Sequence, residues 1–264
     1  MRVVPVNVIL PVDKLTFPGM PEREEKPYKT LYLLHGIFGN YTDWVTGTRV
    51  QRWAEENNLV VVMPSGDNAF YLDHPESYNF YGEFIGSELV DLTRKMFPLS
   101  RKREDTFIGG LSMGGFGAIR NGLKYHDTFG AIVGLSSGLI LDDIANRKDD
   151  GFILTSRRYA EYCFGDLDKV NESDCNPKYL VDMLKKEKSE FPKFYIACGS
   201  EDGLLKANKD FVDYLRNADV EVTFEVGPGG HDWDFWDKYL KEAMDWLPLE
   251  RSNFGINSGH IGGK

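Results

Sequence analysis

Short apolar runs recur along the chain, and the segments between them show apolar residues at helical spacing. Residues 31–34 and 59–63 are continuous apolar runs, the pattern of strands buried on both faces of a parallel sheet. Further strands are predicted at residues 107–108, 131–135, 194–198 and 220–226. Residues 3–10 are valine-rich and alternating, and Pro5 favours an edge position for that strand.

The segments between the runs are amphipathic. Ile85, Leu89, Leu92 and Met96 recur at offsets that place them on one face of a helix. Similar patterns predict helices around Trp53, after Ser112, around Phe211 and around Trp236. Because strands alternate with helices, we predict an α/β fold with a mostly parallel, twisted sheet and helices on both faces.

The alternation stops between residues 137 and 192. Two short helices are predicted there, one at about residues 159–164 closed by Gly165, and one from Asn176-Pro177 to about Lys188. Because active-site loops gather at strand ends, we expect this insertion to be a helical lid. The predicted organisation is one domain at 1–250, with the lid at about 137–192, and an irregular tail at 251–264.

Composition excludes several classes of function. The 264 residues are 42% hydrophobic, enough for a large core, and the net charge of −10 argues against nucleic-acid or anionic-membrane partners. No apolar run reaches the roughly 20 residues of a transmembrane helix, and the N-terminus lacks a signal-peptide pattern. Three cysteines without a C-x-x-C motif suit a reducing compartment, so we expect a cytoplasmic protein.

Residues 110–114, Gly-Leu-Ser-Met-Gly, match G-x-S-x-G, the pattern of a nucleophile elbow. In an elbow the serine lies on a sharp strand-to-helix turn, and residues two positions away approach other backbone too closely for a Cβ. Residues 107–108 end a predicted strand and residues 116–119 begin a predicted helix, which is the context that the motif requires. A glycine-rich turn with an incidental serine is the alternative. We predict that Ser112 is a nucleophile.

Two later strand ends carry an acid and a histidine. Asp202 follows the predicted strand at 194–198, and His231 follows the predicted strand at 220–226. The order serine, acid, histidine is that of elbow-type triads. His231 is the predicted general base for Ser112, and Asp202 would hold its imidazole. Glu201 and Asp232 are alternative acids.

The loop after the second predicted strand begins His35-Gly36-Ile37. Its position is that of the loop that supplies one oxyanion donor in elbow hydrolases. We expect the N–H groups of Ile37 and Met113 to bind the oxyanion, with Phe38 as the alternative donor. Glycines that serve only to reverse the chain are the other interpretation.

Four motifs resemble one family: Leu-Leu-His-Gly-Ile-Phe-Gly-Asn-Tyr-Thr-Asp-Trp at 33–44, Gly-Gly-Leu-Ser-Met-Gly-Gly at 109–115, Cys-Gly-Ser-Glu-Asp at 198–202 and Gly-Gly-His-Asp-Trp at 229–233. They are similar to the esterase D-like α/β-hydrolases, which include tributyrin-type, feruloyl and acetylxylan esterases, S-formylglutathione hydrolases and mycolyltransferases. The similarity extends to about Leu249. It implies an α/β-hydrolase fold and serine-esterase activity without a cofactor. The implied site consists of the triad Ser112, Asp202 and His231 and the oxyanion hole Ile37 and Met113.

The chain departs from this family in two places. Some feruloyl esterases place a lid tryptophan over the substrate, but residues 137–192 contain none. The chain also begins at what resembles the second strand of the fold, which leaves open whether a strand or a leader precedes it.

Aromatic residues near the predicted loops are candidates for substrate binding, with packing in the core or in loops as the alternative. They are Phe38, Trp44, Tyr71, Phe152, Tyr159 and Trp233. No group of histidine, cysteine and carboxylate residues has metal-ligand spacing, so we expect no metal.

The leading hypothesis is a serine carboxylesterase that hydrolyses small esters through an acyl-enzyme. Feruloyl or acetyl esters of plant-cell-wall oligosaccharides are the candidate substrates. The alternatives are a thioesterase of the S-formylglutathione hydrolase type, an acyltransferase, and a non-enzymatic binding module, against which the intact triad counts. The expected partner is a small-molecule ester, with no nucleic acid and no membrane; whether the chain forms a homo-oligomer stays open.

Overall fold

A computed structural model describes residues 3–12, 14–20, 26–144, 147–148, 153–251 and 255–256. Its strands are β1 (Val6–Ile9), β2 (Lys29–Leu34), β3 (Leu59–Pro64), β4 (Asp73–His74), β5 (Asn79–Phe80), β6 (Thr106–Leu111), β7 (Ala131–Leu135), β8 (Lys193–Gly199) and β9 (Val222–Gly227). Its helices are α1 (Asp43–Gly47), α2 (Val50–Glu56), α3 (Tyr81–Glu83), α4 (Leu89–Met96), α5 (Met113–Lys124), α6 (Leu141–Ile144), α7 (Arg157–Phe164), α8 (Pro177–Glu187), α9 (Leu205–Asn217) and α10 (Trp233–Trp246).

Seven strands form one sheet in the order β1-β3-β2-β6-β7-β8-β9. β1 runs antiparallel to β3 at one edge, and the other pairs are parallel. The carboxyl ends of the parallel strands therefore meet at one edge of the sheet, where functional loops collect. This arrangement confirms the predicted mostly parallel sheet.

Both faces of the sheet are buried, which explains the continuous apolar runs. Along β2, Leu31 and Leu33 pack into one core with α2 and α10, whereas Tyr32 and Leu34 pack into a second core with α4, α5, α8 and α9. Successive side chains of a strand point to opposite faces, so a strand covered on both sides needs apolar residues at every position.

The apolar face predicted for residues 85–96 is wrong in its second half. Leu92 and Met96 are exposed, and Thr93 is buried instead. The cause is a π-helical turn at Phe84–Glu88, whose hydrogen bonds span five residues instead of four. The wider turn rotates α4 relative to the preceding turn, so a constant helical period assigns its later residues to the wrong face.

The two helices predicted in the insertion are present. Gly165, with a left-handed φ of +73°, caps the C-terminus of α7. Asn176 caps the N-terminus of α8, where its side chain accepts a hydrogen bond from the Lys178 N–H. α8 packs against α5, so part of the expected lid is a helix that covers the sheet. Phe164 of α7 packs on Phe116 of α5, at 5.7 Å between ring centroids. The lid function of the remaining segment stays a prediction.

Two expectations fall partly or wholly outside the described residues. Phe152 is not among them, and of the expected irregular tail only residues 251, 255 and 256 are described. There, Ile256 pairs with Leu15 through two backbone hydrogen bonds of 2.8 and 2.9 Å.

Candidate active site

Ser112 lies between the end of β6 and the start of α5, at a left-handed φ of +53°. This conformation is strained for a residue with a side chain. A Cβ on Gly110 would lie 2.3 Å from the Gly114 carbonyl oxygen, and a Cβ on Gly114 would lie 2.3 Å from that of Leu34. The two glycines therefore let the turn pack tightly between its own helix and β2, as the motif predicts.

The structure brings the three predicted triad residues together. Nε2 of His231 lies 3.0 Å from Oγ of Ser112, and Nδ1 of His231 lies 2.9 Å from Oδ2 of Asp202. The Asp202 side chain is 1% exposed and the His231 side chain is 38% exposed. The hydrogen-bonded chain thus runs from a buried carboxylate to a hydroxyl that a substrate can reach.

Burial raises the pKa of the Asp202 carboxyl, but hydrogen bonds from the His231 imidazole and the Leu204 N–H lower it by more. The net pKa is below the ordinary value, so the carboxylate is ionised at neutral pH. An ionised acceptor fixes the imidazole with its proton on Nδ1 and leaves Nε2 to accept the serine proton.

The two alternative acids are engaged elsewhere. Glu201 accepts a hydrogen bond from the Gly229 N–H at 2.6 Å and so ties the histidine loop to the acid loop. Asp232 caps α10 by accepting from the Phe235 N–H at 3.0 Å. Both carboxylates position the loop that carries His231 instead of contacting its ring.

The oxyanion candidates differ in their hydrogen bonding. Within the described part of the chain, neither the Ile37 N–H nor the Met113 N–H has a hydrogen-bond partner. The Phe38 N–H, by contrast, donates to Oδ1 of Asn68 at 2.7 Å. The alternative donor is therefore already used, and Phe38 itself adopts a left-handed φ of +64°.

A network around His35 holds the loop that carries Ile37. Nδ1 of His35 lies 2.7 Å from the Gly36 carbonyl oxygen, and the Gly66 N–H donates to Nε2 at 2.9 Å. The Tyr71 hydroxyl donates to the His35 carbonyl oxygen at 2.9 Å. Burial lowers the pKa of His35, so the imidazole is neutral and can accept at Nε2.

A second connection joins this loop to α7. The Asn68 carbonyl oxygen accepts a hydrogen bond from the Tyr159 hydroxyl at 2.7 Å, while its side chain holds Phe38. Sequence reasoning missed the roles of His35 and Asn68. The only signal was the aromatic, polar character of residues 65–82, a segment too long for a simple connector.

Residues 2–162 match the family described as putative esterase. An acetyl esterase of Caldicellulosiruptor saccharolyticus is 47% identical over 243 residues, which make up 92% of this chain and 91% of that protein. This chain belongs to the esterase family.

Two solved structures from Staphylococcus aureus are similar to this esterase, each at 36% identity over 92% of this chain and 91% of theirs. One is FphF, a fluorophosphonate-binding serine hydrolase, with a TM-score of 0.79. The other is the S-formylglutathione hydrolase FrmB, with a TM-score of 0.77. Family and fold together confirm the predicted α/β-hydrolase, a serine hydrolase that acts on carboxylic ester bonds.

Two of the six candidate substrate-binding aromatics of the esterase lie in the core, which corrects the expectation for them. Trp44 is 1% exposed and donates its indole N–H to the Leu34 carbonyl oxygen at 3.0 Å. Tyr71 is 0% exposed and supports the His35 loop. Phe38 is 69% exposed and remains a candidate.

Another candidate, Trp233, belongs to a row of tryptophans that ends at His231. Its ring meets Trp44 at 5.6 Å and Trp236 at 5.2 Å, both edge to face. Trp236 in turn contacts the His231 ring edge to face at 4.9 Å. This row of rings packs against His231 and limits its orientation. Trp233 is half-buried, so only part of its surface is accessible to a ligand.

Among the described residues of the esterase, no group of three or more histidine, cysteine or acidic side chains could hold a metal ion. None of the described helices is long and apolar enough to cross a membrane.

Proposed function

We propose that the esterase cleaves small carboxylic esters through an acyl-enzyme formed on Ser112. The observation that carries this proposal is the hydrogen-bonded chain from Ser112 through His231 to Asp202, with contacts of 3.0 and 2.9 Å. Both distances are within the range for proton transfer between a nucleophile and its base.

In the first half-reaction His231 takes the proton of the Ser112 hydroxyl as Oγ attacks the ester carbonyl carbon. The imidazolium, stabilised by ionised Asp202, then gives the proton to the leaving alcohol. In the second half, His231 takes a proton from water, which attacks the acyl-enzyme, and returns it to Ser112 as the acid leaves. No cofactor enters this cycle.

The oxyanion would accept hydrogen bonds from the N–H groups of Ile37 and Met113. Support comes from their lack of other partners within the described residues. Loss of one such donor typically costs about 3 kcal/mol of transition-state stabilisation.

For the acyl group we propose acetyl first and feruloyl second, carried on plant-cell-wall oligosaccharides. The acetyl esterase at 47% identity favours acetyl. The second candidate function is a thioesterase of the S-formylglutathione hydrolase type, which the relative at 36% identity favours. The same triad serves both, because only the leaving group differs.

We also propose a cytoplasmic location. All three cysteines, Cys163, Cys175 and Cys198, are free, as expected for a reducing compartment.

The test combines active-site labelling with a substrate panel. A fluorophosphonate should label the wild type and should not label Ser112→Ala of equal thermal stability. Rates on p-nitrophenyl acetate, ethyl ferulate and S-formylglutathione then rank the acyl and leaving groups. Undiminished labelling of Ser112→Ala would show that Ser112 is not the nucleophile. A preference for S-formylglutathione would favour the thioesterase function.

A further inference from the structure

Asn121 is a polar residue of α5 that is 0% exposed and that the proposed reaction does not use. Its Nδ2 donates to the Gly117 carbonyl oxygen at 2.9 Å, within the helix. The same Nδ2 donates to the Tyr71 carbonyl oxygen at 3.1 Å, across 50 residues of sequence. Asn121 therefore joins the helix that follows the nucleophile to the segment at residues 65–82.

Arg120 fixes the direction of this amide. Nη1 of Arg120 donates to Oδ1 of Asn121 at 2.8 Å, and a guanidinium group can only donate. The Arg120 side chain is itself 1% exposed, and its Nη2 lies 2.9 Å from Oδ2 of Asp174. The Asn121 amide therefore cannot turn around without losing its hydrogen bonds in a site that excludes water.

The Tyr71 carbonyl group lies in a strained part of the chain. Phe70 and Tyr71 both have a φ of +56°, a conformation that persists only where surrounding contacts impose it. Asn121 supplies such a contact at the Tyr71 carbonyl oxygen. The Tyr71 ring also lies against α5, since a Cβ on Gly117 would be 2.5 Å from its Cδ2. One helix thus holds both the backbone and the ring of Tyr71.

From Tyr71 the connection continues to the proposed oxyanion hole. The Tyr71 hydroxyl donates to the carbonyl oxygen of His35, two residues before Ile37, at 2.9 Å. The other proposed donor belongs to Met113, the first residue of α5. Because an α-helix is rigid over about two turns, Asn121 places the loop of Ile37 in relation to the N–H of Met113.

We propose that Asn121 is a positioning residue of the oxyanion hole, which sets the separation of the Ile37 and Met113 N–H groups through Tyr71. The proposal rests on the proposed function, because it concerns the two donors assigned there. Such donors act mainly on the charge that develops in the transition state. Displacement of one donor therefore lowers kcat and leaves KM nearly unchanged.

The chain offers a matched control for Asn121→Ala. Asn57, at the C-terminus of α2, is 7% exposed, and its Nδ2 donates to the carbonyl oxygen of Trp53, four residues earlier. Asn121 makes the same contact with Gly117 but also reaches Tyr71. On p-nitrophenyl acetate, Asn121→Ala should lower kcat about tenfold and change KM less than about twofold. Asn57→Ala should change neither.

A second measurement separates displaced donors from a general loss of structure. In the thiono analogue of p-nitrophenyl acetate, sulfur replaces the carbonyl oxygen, and sulfur is a weak hydrogen-bond acceptor. The wild type should have a higher kcat/KM on the oxygen ester than on the thiono ester. Asn121→Ala should lower the ratio of these two values about fivefold. An effect on overall structure alone would lower both values equally.

Two further variants protect the test against a misfolded Asn121→Ala protein. Asn121→Asp keeps the shape of the side chain and the oxygen that Arg120 binds, but it removes the donor to the Tyr71 carbonyl oxygen. Tyr71→Phe removes the next hydrogen bond of the same connection. Each should lower the ratio. The double variant Asn121→Asp/Tyr71→Phe should fall short of the product of the single losses, because both changes act on one connection.

An unchanged ratio in both Asn121→Asp and Tyr71→Phe would overturn the assignment of Asn121. An equal fall of the ratio in Asn57→Ala would also overturn it. If the wild type hydrolyses neither ester, the proposed function fails instead.

Discussion

The triad half of the site, Ser112, Asp202 and His231, lies just beyond the carboxyl ends of β6, β8 and β9. The oxyanion half, the loop of Ile37, is held instead by side chains from another loop. The first half of the site needs little beyond the sheet, because parallel strands deliver their carboxyl ends to one edge. The second half depends on several hydrogen bonds between segments that are more than 25 residues apart.

The two halves also differ in backbone strain. The triad half has one left-handed residue among its three catalytic candidates, Ser112. The loop segment that supports the oxyanion half contains Asp67, Phe70 and Tyr71, all with positive φ. Strain of this kind persists only where surrounding contacts impose it. We therefore expect substitutions in the triad half to lower activity by removing a reacting group. Substitutions in the oxyanion half should lower activity by displacing the Ile37 N–H.

The largest effect should come from the triad half. Ser112→Ala and His231→Ala should each lower kcat on p-nitrophenyl acetate by about 10⁶, because the members of a triad act as a unit. The double variant should be no worse than either single variant, and the thermal midpoints should stay close to that of the wild type. A double variant markedly slower than both would contradict the pairing of these residues.

Asp202→Asn should lower kcat by about 10⁴, because an amide stabilises the wrong imidazole tautomer. Glu201→Gln is the matched control, since Glu201 lies next in sequence but holds the Gly229 N–H instead of the imidazole. Comparison of the steady-state rates of both variants shows whether Asp202 or Glu201 is the acid of the triad. A greater loss in Glu201→Gln would reverse the assignment.

In the oxyanion half, Asn68→Ala should lower kcat about tenfold with little change in KM. The Phe38 N–H then loses its acceptor, and the neighbouring Ile37 N–H loses its fixed direction. Tyr159→Phe removes only the hydroxyl that anchors the Asn68 backbone, so it should give a smaller loss in the same direction.

Fluorophosphonate labelling kinetics of these two variants provide a second measurement of the same effect. The double variant should fall short of the product of the single losses, because both changes act on one connection. Fully multiplicative losses would show that Asn68 and Tyr159 act separately.

The smallest effect concerns pH. Burial lowers the pKa of His35 in the folded state, so the unfolded chain binds a proton that the folded chain does not. The stability that neutral His35 contributes to the folded state is fully present above about pH 6.5. As the pH drops below that value, this contribution falls by up to about 1.4 kcal/mol per pH unit.

Denaturant unfolding at pH 7.5, 6.5 and 5.5 measures this slope. His35→Gln should flatten it relative to the wild type. Tyr71→Phe should lower the free energy of unfolding by about 1 kcal/mol at every pH and keep the slope, because it removes a hydrogen bond and no titrating group in this range. If the free energy of unfolding of His35→Gln depends on pH as strongly as that of the wild type, His35 is not the source of this dependence.

Local patterns in the sequence suffice to predict the α/β fold, the strand ends, and the candidates Ser112, Asp202 and His231. Each depends on a local pattern: apolar runs mark buried strands, and the glycines of residues 110–114 mark a turn with no room for a Cβ. The parallel topology then brings the three strand ends together without further information.

The groups that hold the oxyanion loop, and the aromatic residues that face solvent, become identifiable only in the folded chain. Trp44 and Phe38 are both aromatic residues near the same loop, yet one is 1% and the other 69% exposed. Asn68 is an ordinary loop asparagine until the fold brings it within 2.7 Å of the Phe38 nitrogen. Exposure and long-range hydrogen bonds depend on how loops approach one another in space, and no local period or spacing in the chain encodes that approach.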